Sequence, residues 1–139
     1  MRILGVDYGE KRIGLAVSIP FQNMAVPLKV INVVSHKKAI LEIAETVVQE
    51  SVDMIVVGLP INMDGSSGEM VDRVMDFVAK VAAATGKKVE TWDERLTTVM
   101  AEKSMLDGDL SRSKRKSIRD KISAQILLQD YLESRTEAR

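Results

Sequence analysis

Arg2-Ile3-Leu4-Gly5-Val6-Asp7-Tyr8-Gly9-Glu10-Lys11-Arg12-Ile13-Gly14-Leu15-Ala16-Val17 opens the chain with two apolar runs divided by a polar turn. The first run ends on Asp7, breaks at Gly9 and gives way to a second run at Ile13. That pattern reads as a β-hairpin. Period-two alternation places Ile3, Gly5 and Asp7 on one face of the first strand and Leu4, Val6 and Tyr8 on the other. An aspartate is unfavourable in a strand and costly to bury without a partner. Asp7 therefore either caps the turn through its own backbone, as Asx turns do, or is held there for chemistry.

Outward from the hairpin, Pro20 and Pro27 bracket a loop, and Leu28 to Val34 reads as a third strand with Pro27 at its edge-strand start. Ser35 is placed to cap a helix in which Ile40, Ile43, Ala44, Val47 and Val48 recur at helical spacing up to Glu50. Met54 to Val57, ending in Gly58, is a short apolar run suited to a buried parallel strand. The loop from Leu59 to Gly68 leads into a second helix carrying Met70, Val71, Val74, Phe77, Val78 and Val81, stopped by Gly86. Val89 to Trp92 forms a fifth strand, from whose end Asp93, Glu94 and Arg95 leave. Thr97 or Thr98 caps a third helix running to about Leu106. A polar, basic stretch from Asp107 to Lys121 follows. The last helix, from about Ser117 to Ser134, carries Ala124, Leu127, Leu128 and Tyr131 on one face, and the tail after it frays. With no repeat or linker, the reading is one α/β domain over residues 1–139. Three strands form an antiparallel meander, the helix-linked strands join as parallel neighbours, and helices cover both faces of the mixed sheet.

Composition narrows the function classes. The 139 residues are 45% hydrophobic, with 20 cations against 20 anions, one His and no Cys. That excludes disulfides, thiolate metal sites and Cys nucleophiles, and leaves little for a His-rich zinc site. No apolar run reaches a membrane span and no signal pattern opens the chain, so the expectation is a soluble cytoplasmic protein without membrane partners.

Acids stand at telling places. Asp7 ends the first strand, Asp93 and Glu94 end the fifth, and Asp120 lies near the start of the last helix. Asp120 precedes Ala124 by four residues, Leu127 by seven and Leu128 by eight, which puts it on their inward face. Taken singly, each acid has an ordinary explanation: a turn cap, a loop acid, a negative charge at a helix N-terminus. Together they read differently. If strands one, four and five are adjacent and parallel, Asp7, Gly58 and Glu94 emerge at one sheet edge, where sites form in α/β folds. Converging carboxylates repel and raise one another's pKa. A hard divalent cation, Mg²⁺ or Mn²⁺, relieves this and suits phosphodiester cleavage.

Charge is also unevenly spread. Leu110 to Lys121 holds Arg112, Lys114, Arg115, Lys116, Arg119 and Lys121 against one acid, a net +5 that leaves −5 on the rest. A basic run beside an acidic site points to a phosphate-rich partner, although a solvated loop has the same composition. With few aromatics, backbone and shape recognition is expected over base stacking. The loop from Gly58 to Gly68 presents amides at a helix N-terminus but lacks the ending of a P-loop.

Asp7-Tyr8-Gly9-Glu10-Lys11-Arg12-Ile13-Gly14, Gly58-Leu59-Pro60 with Met63-Asp64-Gly65, and Asp93-Glu94-Arg95-Leu96-Thr97-Thr98 resemble the signatures of the pre-16S rRNA nuclease family (YqgF or RuvX, Holliday junction resolvase-like). Asp120 to Leu132 resembles that family's C-terminal acid and helix. The resemblance spans nearly the whole chain, with the motifs in order. It implies an RNase H-like fold with strand order 3-2-1-4-5. It also implies a metal-dependent nuclease of 16S rRNA 5′-end maturation, with Asp7, Glu94 and Asp120 as catalytic, metal-binding acids and Arg12, Arg95 and Thr98 as supporting or substrate-contacting residues. Arg112, Lys114, Arg115 and Lys116 are the cations expected on the nucleic acid. The related resolvase has an acid after its fourth strand where this chain has Gly58, so Glu94 takes the second-acid role. The alternatives are a resolvase of four-way DNA, acting as a dimer, and a non-catalytic RNA- or ribosome-binding factor. Both monomer and homodimer, alone or on a pre-ribosomal particle, fit these readings.

Overall fold

The computed structural model describes residues 1–60, 68–93 and 112–137, with the backbone alone at 112–121 and 136–137. Its elements are β1 (Ile3–Asp7), β2 (Arg12–Ile19), β3 (Met24–Asn32), α1 (His36–Gln49), β4 (Met54–Leu59), α2 (Glu69–Thr85), β5 (Lys88–Asp93) and α3 (Arg112–Glu137). The sheet order is β3-β2-β1-β4-β5. β2 runs antiparallel to both β1 and β3, whereas β4 is parallel to β1 and to β5. The predicted mixed sheet, with its strand order, is thus observed.

Residue size decides which helix lies on which face. Large aliphatics (Leu4, Val6, Ile13, Leu15, Val17, Ile55 and Val57) point to one face and pack against Ile40, Ile43 and Val47 of α1 and Val74, Phe77 and Val81 of α2. The opposite face carries Ile3, Ala16, Ala25, Met54 and Val56 and receives Ala124, Leu128, Tyr131 and Leu132 of α3. Gly5 belongs to this second face. A Cβ there would stand 2.8 Å from Leu128 Cβ and 3.2 Å from the Ala124 carbonyl oxygen. Small residues therefore form a trough that lets one helix lie close to the backbone of the central strands.

Polar groups then fix α3 in place. Gln129 Oε1 accepts from the Ala25 amide (2.9 Å), and Gln125 Nε2 donates to the Ala25 carbonyl (3.2 Å). Gln129 Nε2 also donates to the Asn23 carbonyl at 3.1 Å. Backbone groups near the start of the edge strand are thus occupied by side chains of the helix, one way of protecting an edge.

The helix signals hold. Ser35 accepts from the Lys38 amide at 3.2 Å as N-cap of α1, and Gly86 ends α2 with a left-handed φ of 68°.

Several boundaries differ from expectation. β3 starts at Met24, not Leu28, and β2 runs to Ile19, so Pro20 to Asn23 is a tight connection with positive φ at Phe21 and Asn23. Pro27 sits inside β3, opposite Ala16. Leu15 pairs with Lys29, so Leu28 is the extra residue of a β-bulge. The bulge disrupts the ladder locally, which accommodates a residue without an N–H. The last helix begins at Arg112 rather than about Ser117, so much of the basic stretch is helical rather than a loop. It also continues through Glu137. Of the tail expected to fray, Arg135 to Arg139, residues 135–137 are helical and 138–139 lie outside the described residues; Arg135 lies 5.7 Å from the Tyr131 ring centre, one turn earlier. The predicted third helix, near 97–106, and most of the loop after β4 lie outside the described residues. Among the described residues no helix is long and apolar enough to cross a membrane.

Candidate active site

Parallel pairing brings the C-terminal ends of β1, β4 and β5 to one edge, as the sequence required. Val6 pairs with Val57, and Gly58 with Trp92, so Asp7, Gly58 and Trp92 follow one another across the sheet. At about 4.8 Å per strand, Asp7 and Trp92 are separated by roughly 10 Å of backbone. On its other side Asp7 pairs with Gly14. Both cross-strand neighbours of the aspartate are glycines, so neither supplies a side chain to crowd its carboxylate.

α3 runs antiparallel to β1. Ile3 shares a cluster with Leu132, while Gly5 lies under Leu128 and Ala124. Two residues further along β1 comes Asp7; one turn back along α3 comes position 120. The backbone thus brings Asp7 and position 120 to the same edge, from a strand and a helix. Residues 112–119 continue α3 past that point, about 12 Å of helix at 1.5 Å per residue. The structure describes no side chain at Asp120, Arg112, Lys114, Arg115 or Lys116. Glu94, Arg95 and Thr98, which follow Asp93 in the sequence, lie outside the described residues.

The turn after Asp7 is tightly built. A Cβ on Gly9 would stand 2.4 Å from the Arg12 carbonyl oxygen, so only glycine fits without a backbone shift. Tyr8 packs on Phe77 (4.7 Å between ring centres) and meets His36 edge-on at 6.1 Å. Glu10 pairs with Arg73 of α2, and the Lys11 carbonyl accepts from the Val33 amide at 2.9 Å. Arg12, half-buried, shares the α3 face of β2 with Ala16 by strand parity. Gly9→Ala is expected to lower the melting temperature and reduce any activity at this edge at least tenfold, because it displaces Arg12 relative to Asp7. Thermal melting and cleavage rates, side by side, check this.

A second cluster lies on the α3 face of β5. The Tyr131 hydroxyl donates to Glu90 Oε2 at 2.5 Å, Lys88 Nζ lies 2.9 Å from Glu90 Oε1, and Trp92 meets Tyr131 at 87° and 5.7 Å. The hydrogen bond from Tyr131, and then that from Lys88, hold the Glu90 carboxyl below its ordinary value. Burial, and then the bond to Glu90, push Tyr131 up to about 12. Glu90's contribution to stability is present above the ordinary carboxylate range and is lost as pH falls through its depressed pKa. Tyr131's is present below about pH 10 and is lost as pH rises through about 12. Tyr131→Phe is therefore expected to lower the melting temperature most between these limits. Its difference from the parent protein should shrink at both extremes. Melting curves against pH test the sign.

Sequence reasoning missed this aromatic pair. Trp92 stands two residues before Glu94 in a chain that is only 4% aromatic, and Tyr131, its ring partner, is 39 residues away in sequence. The available signal was period-two alternation, which puts Trp92 on the same face of its strand as Lys88 and Glu90.

Over residues 1–134 the sequence matches the family described as RuvX, Holliday junction resolvase. The chain belongs to the RuvX family. RuvX-family relatives include proteins named for a pre-16S rRNA nuclease activity in Desulforamulus reducens and Clostridium tetani. The first is 42% identical over 134 residues, 96% of this chain and 98% of the relative. The second is 46% identical over 134 residues, 96% and 97%. In backbone, this RuvX-family chain is similar to Thermus thermophilus RuvC in complex with a Holliday junction substrate (TM-score 0.61, 13% identity, 99% of this chain and 96% of that one). It is also similar to the fowlpox virus resolvase bound to Holliday junction DNA (TM-score 0.55, 15% identity, 96% and 98%). At such identities the likeness establishes the fold, which is RNase H-like.

Proposed function

We propose that this chain is a metal-dependent nuclease that hydrolyses phosphodiester bonds in precursor 16S rRNA, as one cytoplasmic domain serving 5′-end maturation. The observation that carries this reading is the edge where Asp7 at the end of β1, position 120 of α3 and the end of β5 come together. RuvX membership and relatives named for pre-16S rRNA nuclease activity support the substrate.

Asp7, Glu94 and Asp120 are the residues that would hold Mg²⁺ or Mn²⁺. The donor set fits a hard cation: the expected ligands are carboxylates, the chain has no Cys, and its single His, His36, lies against Tyr8 on the other face. Such an ion, when bound, stabilises charge on the phosphodiester oxygens and makes water a better nucleophile. The chain's own residues do the rest. The Gly9 turn fixes Asp7 and Arg12 relative to each other, the glycines beside Asp7 leave room for a phosphate, and Arg12, Arg95 and Thr98 orient the strand. Arg112, Lys114, Arg115 and Lys116 lie on the helical turns that precede position 120, and would hold the backbone electrostatically.

A second reading, resolution of four-way DNA, has the family's description in its favour. Cleavage of a 16S precursor fragment and a four-way junction, side by side in Mn²⁺, Mg²⁺ and EDTA, separates them. Metal-dependent loss of the RNA alone supports the proposal; paired symmetric cuts in the junction favour the resolvase. RNA binding without cleavage of either moves the reading to a binding factor. Neutralising the four cations of α3 is expected to flatten the salt dependence of RNA binding, lowering the log–log slope by up to about 3. A titration series in KCl measures it.

A further inference from the structure

We propose that the strip of sheet face between α3 and β5, formed by Trp92, Tyr131, Lys88 and Arg135, seats a single-stranded RNA segment leading away from the cleavage edge. This deepens the nuclease reading and rests on it for the identity of the ligand. α3 packs chiefly over β1, β2 and β3 and meets β5 through Tyr131. Lys88, Glu90 and Trp92, alternating along β5, occupy the same face as the bridge. Trp92 heads the strip beside Gly58, one strand further from Asp7.

Three features suit this strip to an unpaired strand. The first is the indole. Among the described residues Tyr131 is the ring that meets Trp92, edge-to-face, and the half-buried indole keeps part of its surface exposed, the part proposed to take a base. Bases of a duplex are already stacked, so a stacking platform selects single strands. The second is charge. Exposed Lys88 lies at the far end of β5 and Arg135 one turn beyond Tyr131, both within reach of a backbone that passes Trp92. Glu90, the acid of the strip, is engaged by the Tyr131 hydroxyl and by Lys88. The third is rigidity. The Tyr131–Glu90 hydrogen bond and the Arg135 contact hold the tyrosine that positions the indole, so the platform exists before substrate arrives.

Trp92 is the single tryptophan of the chain, so its emission reports this strip directly. The experiment titrates the full-length protein in EDTA with a short unlabelled single-stranded RNA, following tryptophan emission. Anisotropy of the same RNA carrying a dye is recorded in parallel. The proposal expects saturable quenching that follows the anisotropy isotherm with single-stranded RNA, and far less with a duplex of equal length. Trp92→Ala should weaken binding at least about tenfold and Trp92→Phe much less. Paired Lys88→Ser and Arg135→Ser substitutions should lower the salt slope by about one. Melting curves establish that each variant is folded. Binding without a change in emission, equal affinity of Trp92→Ala, or no RNA binding would each overturn the proposal. Cleavage without quenching removes the strip and leaves the nuclease; quenching without cleavage in Mg²⁺ or Mn²⁺ does the reverse.

Discussion

Asp7→Asn is expected to lower RNA cleavage more than about a thousandfold, some 4 kcal/mol of lost transition-state stabilisation, while RNA affinity stays the same or rises. The opposite directions follow from one change. The amide is isosteric with the carboxylate but carries no charge, so it is a far poorer cation ligand. Near phosphates, the same loss removes a repulsion. The fold should persist, because the pairing of β1 with β2 and β4 is made by backbone. Single-turnover cleavage of a precursor fragment, with affinity measured by anisotropy in EDTA, reads both effects. Unchanged cleavage would remove Asp7 from the chemistry and return it to a turn cap.

The second large effect concerns stability. Gly5→Ala introduces a Cβ 2.8 Å from Leu128 Cβ and 3.2 Å from the Ala124 carbonyl oxygen. Both partners belong to the buried core of α3 and neither is the end of a flexible side chain, so the helix itself must lift. Overpacking of this kind costs about 2 kcal/mol, and a chain of this size should then melt roughly 5–10 °C lower. Because α3 also carries position 120, the displacement should reduce cleavage beyond what the loss of folded protein explains. Urea unfolding and activity at a temperature where the variant remains folded separate the two contributions. An unchanged melting temperature would mean that α3 does not lie so close to β1.

Most of the sheet was legible because its signals are local. The break at Gly9, the apolar run ending at Gly58 and the helical spacing of Ile40, Ile43 and Val47 each state an element and its type. The position of Asp7 and the shared edge followed from parallel pairing. What escaped depended on non-local contact. Pro27 looks like a strand start in sequence because nothing near it announces a bulge opposite Leu15 and Ala16. The first turns of α3, Arg112 to Lys116, are polar and cationic, so no apolar periodicity marked them as helix. Arg135 continues the helix by contact with Tyr131, where composition suggested a loose end. At the candidate site the sequence indicated Asp7, but the value of Gly14 and Gly58 as its neighbours is visible only in the register of three strands.

The trough that receives α3 has a consequence for the time course of biosynthesis. The ribosome releases a chain from its N-terminus, so the sheet strands and α1 and α2 emerge before α3. Until α3 arrives, Ile3, Ala16, Met54 and Val56 lack the helix that covers them, and the backbone of residue 120 is not yet at the edge that carries Asp7. Docking of α3 completes the hydrophobic cover and brings position 120 to the Asp7 edge in one event. A chain cut before α3 is therefore expected to leave this face of the sheet uncovered and, on the proposed reading, to lack nuclease activity.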